Sequence, residues 1–196
     1  MDFDNKLKGN LTEIISSSIF EDAGYRVVPL GVEKVGREIT TLDHEEYTKL
    51  NFSKTLRSMP DLLVTEVDMS NAWLVEVKYR KTFLSFKSCL KLKKILNEQA
   101  KRWGAFYVLL YVGKQASNMS SFSGSYCGVI KLDSKNDLLH FERKNSSKLI
   151  DWGSLDWKHF SRVQDVFKKV AKAKKNSPVE KSIRITKALI SLSDQA

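Results

Sequence analysis

Apolar positions recur at two different periods along this 196-residue chain, and the switches between them outline its elements. Leu11, Ile14, Ile15 and Ile19 fall at helical spacing, which predicts a helix over 10–23 with Asn10 as its cap and Gly24 at its end. The run "YRVVPLG" (25–31) reads as a strand, and 32–58 is a long polar insertion with helical character around Glu45–Leu56. Two alternating stretches, about 61–67 and 72–79, flank "DMSN" and predict a hairpin. Pairing Asp68 with Asn71 sets Asp61 opposite Lys78 and Leu63 opposite Glu76. Residues 87–103 form a second helix with the stripe Leu92, Ile95, Leu96, Ala100 and Trp103, closed by Gly104. "AFYVLLYV" (105–112) has the apolar density of a central strand covered on both faces.

Beyond Gly113 the texture changes. "KQASNMSSFSGS" is a serine-rich loop, and "YCGVIKL" and "LLHFER" read as two further strands. Trp157, Phe160, Val163, Val166, Phe167 and Val170 predict a basic helical segment over 155–175, and Trp152 and Trp157 read as core. Ser177 and Pro178 open a last helix. The pattern implies an α/β fold: a core over 1–113 carrying the insertion 32–58, and a C-terminal extension over 114–196 with strands and basic helices.

Composition narrows the function. Hydrophobic residues make up 42%, enough for a packed core, and no apolar run approaches the roughly 20 residues that span a bilayer. The N-terminus lacks the basic-then-apolar order of a signal peptide, and Cys89 and Cys127 suit a reducing compartment. An intracellular protein, cytoplasmic or nucleoid-associated and not secreted, is the expectation. Thirty-three basic residues against 23 acidic leave a net charge of +10, which favours a polyanionic partner, nucleic acid before membrane. The charge clusters over Lys78–Arg102 and again over Lys168–Lys175.

Asp61, Glu76 and Lys78 stand on strands that are otherwise apolar. Charges in such places are paired or bind a metal. On one face they form a hard, oxygen-rich site: Asp61, Glu76 and the Val77 carbonyl suit magnesium or manganese, and Lys78 is left to position water or offset charge on phosphorus.

"PD" at Pro60–Asp61 followed by "EVK" at Glu76–Lys78 resembles the signature of the PD-(D/E)xK nuclease superfamily, whose restriction-endonuclease-like core is αβββαβ. The stretch "VEVKYRKTFLSF…AKRWGAFYVLLY" is most similar to archaeal-type Holliday-junction resolvases, with transposon-end and restriction endonucleases equally compatible. The resemblance implies a Mg2+- or Mn2+-dependent endonuclease acting on DNA, as a homodimer or within a larger nucleoprotein machine. The other readings are a DNA-binding module that does not cut, and an RNA endonuclease. "GNLTE" (Gly9–Glu13) resembles the family's first-helix acid, which implies that Glu13 contacts a second metal or its water; Asn10 and Glu13 equally form a capping box. Arg80, Lys81, Lys87, Lys91 and Lys94 are the expected nucleic-acid contacts. Gln99, which with Trp103 partly matches the Gln-x-x-x-Tyr motif of some exonuclease relatives, is expected to touch nucleic acid or the site. His44 resembles the manganese-binding histidine of viral relatives but sits at a helix start.

Overall fold

The computed structural model describes residues 3–31, 49, 53–82, 90–114, 127–136, 138–142 and 148–171. Helix α1 spans Phe3–Asp22. Strand β1 is Arg26–Pro29, and a short helix α2 covers Lys54–Arg57. The hairpin follows as β2 (Leu62–Thr65) and β3 (Ala72–Thr82). Helix α3 (Leu90–Trp103) leads to β4 (Phe106–Lys114). Strands β5 (Cys127–Lys135), β6 (Leu138–Glu142) and β7 (Leu149–Asp151) complete a seven-stranded sheet in sequential order. The β3–β4 pair is parallel, with α3 in its crossover, and the other pairs are antiparallel, so the sheet is mixed.

Strand β4 shows why the order works. Phe106, Val108, Leu110 and Val112 enter one apolar cluster with Leu92, Leu96 and Ala100 of α3. Leu109 and Tyr111 enter the other with Ile19 and Phe20 of α1 and with Val75 and Val77 of β3. Alternation along one strand thus serves two helical layers.

Both clusters draw on residues after 113. Trp152, Trp157 and Phe160 join the α3 side, and Phe167 and Val170 join the α1 side. The chain passes between the faces beside Val129, whose N–H and carbonyl each bond to Ser161 at 2.8 Å. The boundary expected at 113–114 falls inside β4, and the sheet continues across it.

Several expectations change. Helix α1 begins at Phe3, so Asn10 lies inside it and the capping box with Glu13 does not form. Its buried face runs through Thr12, Ser16, Ile19 and Phe20, while Ile14 is exposed. The burial of Ser16 follows from Tyr111, whose hydroxyl lies 2.9 Å from the Ser16 hydroxyl. Gly24 does end the helix, at φ 86°, with Gly24 and Tyr25 N–H bonding back to Glu21 and Phe20.

On α3, Ile95 is exposed and Gln99 takes a buried place instead. The segment 155–171 is no continuous helix. It holds a 3-10 turn at Trp157–His159 and two four-residue helices, α4 (Val163–Val166) and α5 (Lys168–Ala171). Asp156 caps the turn, accepting from Trp157 N–H, and Ser161 then extends to pair with Val129. Strand β7 was not foreseen from the pattern; at three residues it is too short to show alternation. His44, Cys89, the serine-rich loop from 115, most of the 32–58 insertion and the helix expected after Ser177 lie outside the described residues.

Candidate active site

Strand β2 starts at Leu62, two residues after Pro60, which has no N–H for the ladder and is buried. Asp61 lies between them, its carbonyl bonded to Leu30 N–H at 2.9 Å. The register pairs Leu62 with Val75, which brings Asp61 level with Glu76 rather than with Lys78. This differs from the expected pairing by two residues, because the loop closes through Glu66 N–H to the Asn71 carbonyl at 3.0 Å. An even shift preserves the faces. Asp61, Glu76 and Lys78 therefore share the α3 side of the sheet, and Val75 and Val77 pack toward α1.

The side chains converge. Lys78 Nζ forms an ion pair with Glu76 Oε1 and stands 3.7 Å from Asp61 Oδ2. Asp61 Oδ2 accepts a 2.7 Å hydrogen bond from Val77 N–H. In an extended strand the N–H and C=O of one residue leave toward the same neighbour, so the Val77 carbonyl opens on the Asp61 side as well. Glu76 Oε2 accepts from Gln99 Nε2 at 2.7 Å. Glu76 is 2% exposed, whereas the side chains of Lys78 and Asp61 are 24% and 18% exposed. The cluster thus has a closed end at Glu76 and an end reachable from solvent at Asp61 and Lys78.

The electrostatics follow from burial. Loss of water around Glu76, and then the neighbouring Asp61 charge, push its carboxyl up to about 7 against the pull of Lys78 and Gln99. Burial alone lowers Lys78, but Glu76 and Asp61 outweigh it and hold the ammonium above its ordinary range. The Glu13 charge, from α1, adds the smallest contribution in the same direction. The place between Asp61 and Glu76 accordingly favours a cation.

Among the described residues no group of three or more His, Cys, Asp or Glu side chains is arranged to hold a metal ion. Two carboxylates and a backbone carbonyl remain as donors, all oxygen. That set suits magnesium, which keeps several waters and uses one or two carboxylates. The Lys78 ammonium already lies against both carboxylates, so the place is one for positive charge.

The expected nucleic-acid contacts separate. Lys91 and Lys94 are exposed on α3. Arg80 turns back, its Nη1 donating to the Tyr79 carbonyl at 2.7 Å. Lys81 belongs to β3, but its side chain, like all of Lys87, lies outside the described residues. Gln99 is not on the surface; it is buried against Glu76. In the C-terminal basic cluster, Lys169 is engaged by Glu66 and by the Gly24 carbonyl. Of the two contacts expected for Gln99, nucleic acid or the site, the structure shows the second, and its particular role as the anchor of Glu76 was not foreseen. The available signal was a polar residue three positions after Leu96 and one before Ala100, inside the apolar stripe.

Among the described residues, no helix is long and apolar enough to cross a membrane. No family model matches the chain. No curated protein matches it. No solved structure matches it.

Proposed function

We propose that this chain is a Mg2+- or Mn2+-dependent endonuclease that hydrolyses phosphodiester bonds in DNA, on a restriction-endonuclease-like core of the PD-(D/E)xK type. The observation that carries the reading is the convergence of Asp61, Glu76 and Lys78 on one ion-paired cluster, with Val77 N–H holding Asp61. Apart from the short α2 between β1 and β2, the order α1, β1, β2, β3, α3, β4 agrees with an αβββαβ core, and the net charge of +10 suits a polyanionic substrate.

Asp61, Glu76 and the Val77 carbonyl are the residues to hold the cation. Bound there, the cation would supply a water of lowered pKa and polarise the scissile phosphate. Lys78, partly exposed at the open end, is placed to orient a water or to offset charge gathering on the phosphate oxygens. Glu13 contributes negative charge from α1. Lys91 and Lys94 offer exposed ammonium groups to the backbone of the nucleic acid.

The test is cleavage of supercoiled plasmid, linear DNA, branched DNA and RNA with magnesium or manganese, each with an EDTA control. Cleavage of DNA that requires the metal, and is lost in Asp61→Ala and Lys78→Ala proteins that still fold, is the expected result. Metal-dependent cutting that persists in both variants overturns the assignment.

A further inference from the structure

Gln99 is the one buried polar side chain on α3, and the catalytic roles above leave it unassigned. It lies in the row formed by Leu92, Leu96 and Ala100, where an apolar residue would pack without any polar group to satisfy. Its Nε2 donates to Glu76 Oε2 at 2.7 Å, while its Oε1 is buried and has no hydrogen-bond partner among the described residues. A buried amide with one half engaged and the other orphaned calls for an explanation.

The Glu76 carboxylate is gripped at both oxygens, Oε1 by Lys78 and Oε2 by Gln99. The terminal torsion of a glutamate is broad and imposes little preference of its own. With Lys78 on a flexible stem, the shorter and fully buried Gln99 is the group that sets the carboxylate plane. Partners of this kind orient metal ligands from behind, and losing one costs about 10–100-fold in metal affinity.

We infer that Gln99 is a positioning residue of the metal site: its amide N–H fixes the plane in which Glu76 meets the cation, and its carbonyl accepts a hydrogen bond from a water held in that site. This rests on the metal site proposed above. It assigns Gln99 to the ligand cluster and removes it from the nucleic-acid surface.

The experiment is calorimetric titration of the full-length chain with Mn2+, without nucleic acid, for wild type, Gln99→Leu, Gln99→Met and Leu96→Ala. Gln99→Met fills the same volume with an unbranched chain, so a folded protein is at hand should the leucine variant not fold. Leu96→Ala opens a cavity in the same helix face without touching a carboxylate. The expected result is a Mn2+ dissociation constant about 10–100-fold weaker in the Gln99 variants, with Leu96→Ala at the wild-type value. Wild-type affinity in Gln99→Met overturns the inference and leaves the metal site standing. Equal weakening in Leu96→Ala also overturns it, because Gln99 would then act only through helix packing. If wild type itself binds no Mn2+, the metal site fails and the inference falls with it.

Discussion

The Val77 N–H donates to Asp61 Oδ2 at 2.7 Å, tying the first residue before β2 to the middle of β3. The carboxylate takes the place that a strand carbonyl would occupy had β2 continued through Pro60. The end of the strand pairing is therefore what presents Asp61 to Glu76 and Lys78, and the hairpin and the cluster are one piece of structure.

That bond separates two functions of Asp61. An Asp61→Asn side chain keeps an oxygen to accept from Val77 N–H but loses the charge. Stability should stay within about 1 kcal/mol of wild type, the net worth of one hydrogen bond. Cleavage of plasmid with magnesium should fall by more than the ~100-fold typical of losing an outer partner of a metal ligand. Urea denaturation and a cleavage time course on the same preparation check both parts.

Lys78 neutralises two carboxylates, so its removal exposes their mutual repulsion. Lys78→Met in EDTA should lose about 3 kcal/mol, the cost of stranding a largely buried charge. A divalent ion should return more stability to this variant than to wild type, since it then meets two carboxylates with no ammonium between them. Denaturation curves for both proteins, with EDTA and with Mn2+, give the comparison.

Glu76 makes a prediction about pH with a definite sign. Its folded carboxyl sits at about 7, above its ordinary value of 4.5. Between those values the folded state holds a proton that the unfolded state has released, so stability falls as pH rises. Above pH ~7 both states are ionised and the loss is complete. Lys78, also held above its ordinary range, keeps its proton throughout this window and adds no slope there. In EDTA, wild type should lose stability relative to Glu76→Gln from about pH 4.5 to 7 and run parallel to it above. A flat difference, or a rise, would contradict the stated environment of Glu76.

The parts of this arrangement legible in the sequence were those set by local pattern. Charges at Asp61, Glu76 and Lys78 interrupt apolar alternation, and period two alone puts Glu76 and Lys78 on one face. The exact pairing was not legible, because it depends on a loop with its own chemistry. Asp68 accepts from Ser70 N–H and Met69 adopts φ 60°, which lengthens the turn. The buried row of α1 was misread for a different reason. Ser16 is polar and is satisfied by Tyr111, a residue 95 positions away, and no local window contains that partner. The partner of Gln99 was likewise not legible, since its acceptor lies on β3, 23 residues earlier.

Lys91 and Lys94 project from the exposed side of α3 while Leu92 and Leu96 face the core. Replacing both with alanine should leave the unfolding midpoint nearly unchanged. If each meets a phosphate, affinity for DNA falls across all sequences, and the slope of log affinity against log salt shrinks by about 2. Fluorescence anisotropy over a salt series, in a calcium buffer to limit cleavage, measures it. An unchanged slope would remove this helix from the interface.

Gly128 tests how firmly the C-terminal segment belongs to the sheet. A Cβ at this position on β5 would lie 2.8 Å from Phe160 Cβ and 3.0 Å from the edge of the Trp157 ring. Phe160 and Trp157 are stacked with ring centroids 4.9 Å apart, and both are almost fully buried, so neither can swing away into solvent. The added methyl must push the segment off the strand, against the Val129–Ser161 bonds only one residue along. Gly128→Ala should therefore lose about 1–3 kcal/mol, the usual cost of overpacking a filled core. Gly104→Ala provides the contrast: nothing lies within 4 Å of its Cβ, and the strain comes only from φ 73°. That variant should lose about 1–2 kcal/mol with no change in the surroundings of Trp157. Tryptophan fluorescence recorded alongside denaturation distinguishes them, because only the Gly128 variant should shift the native emission.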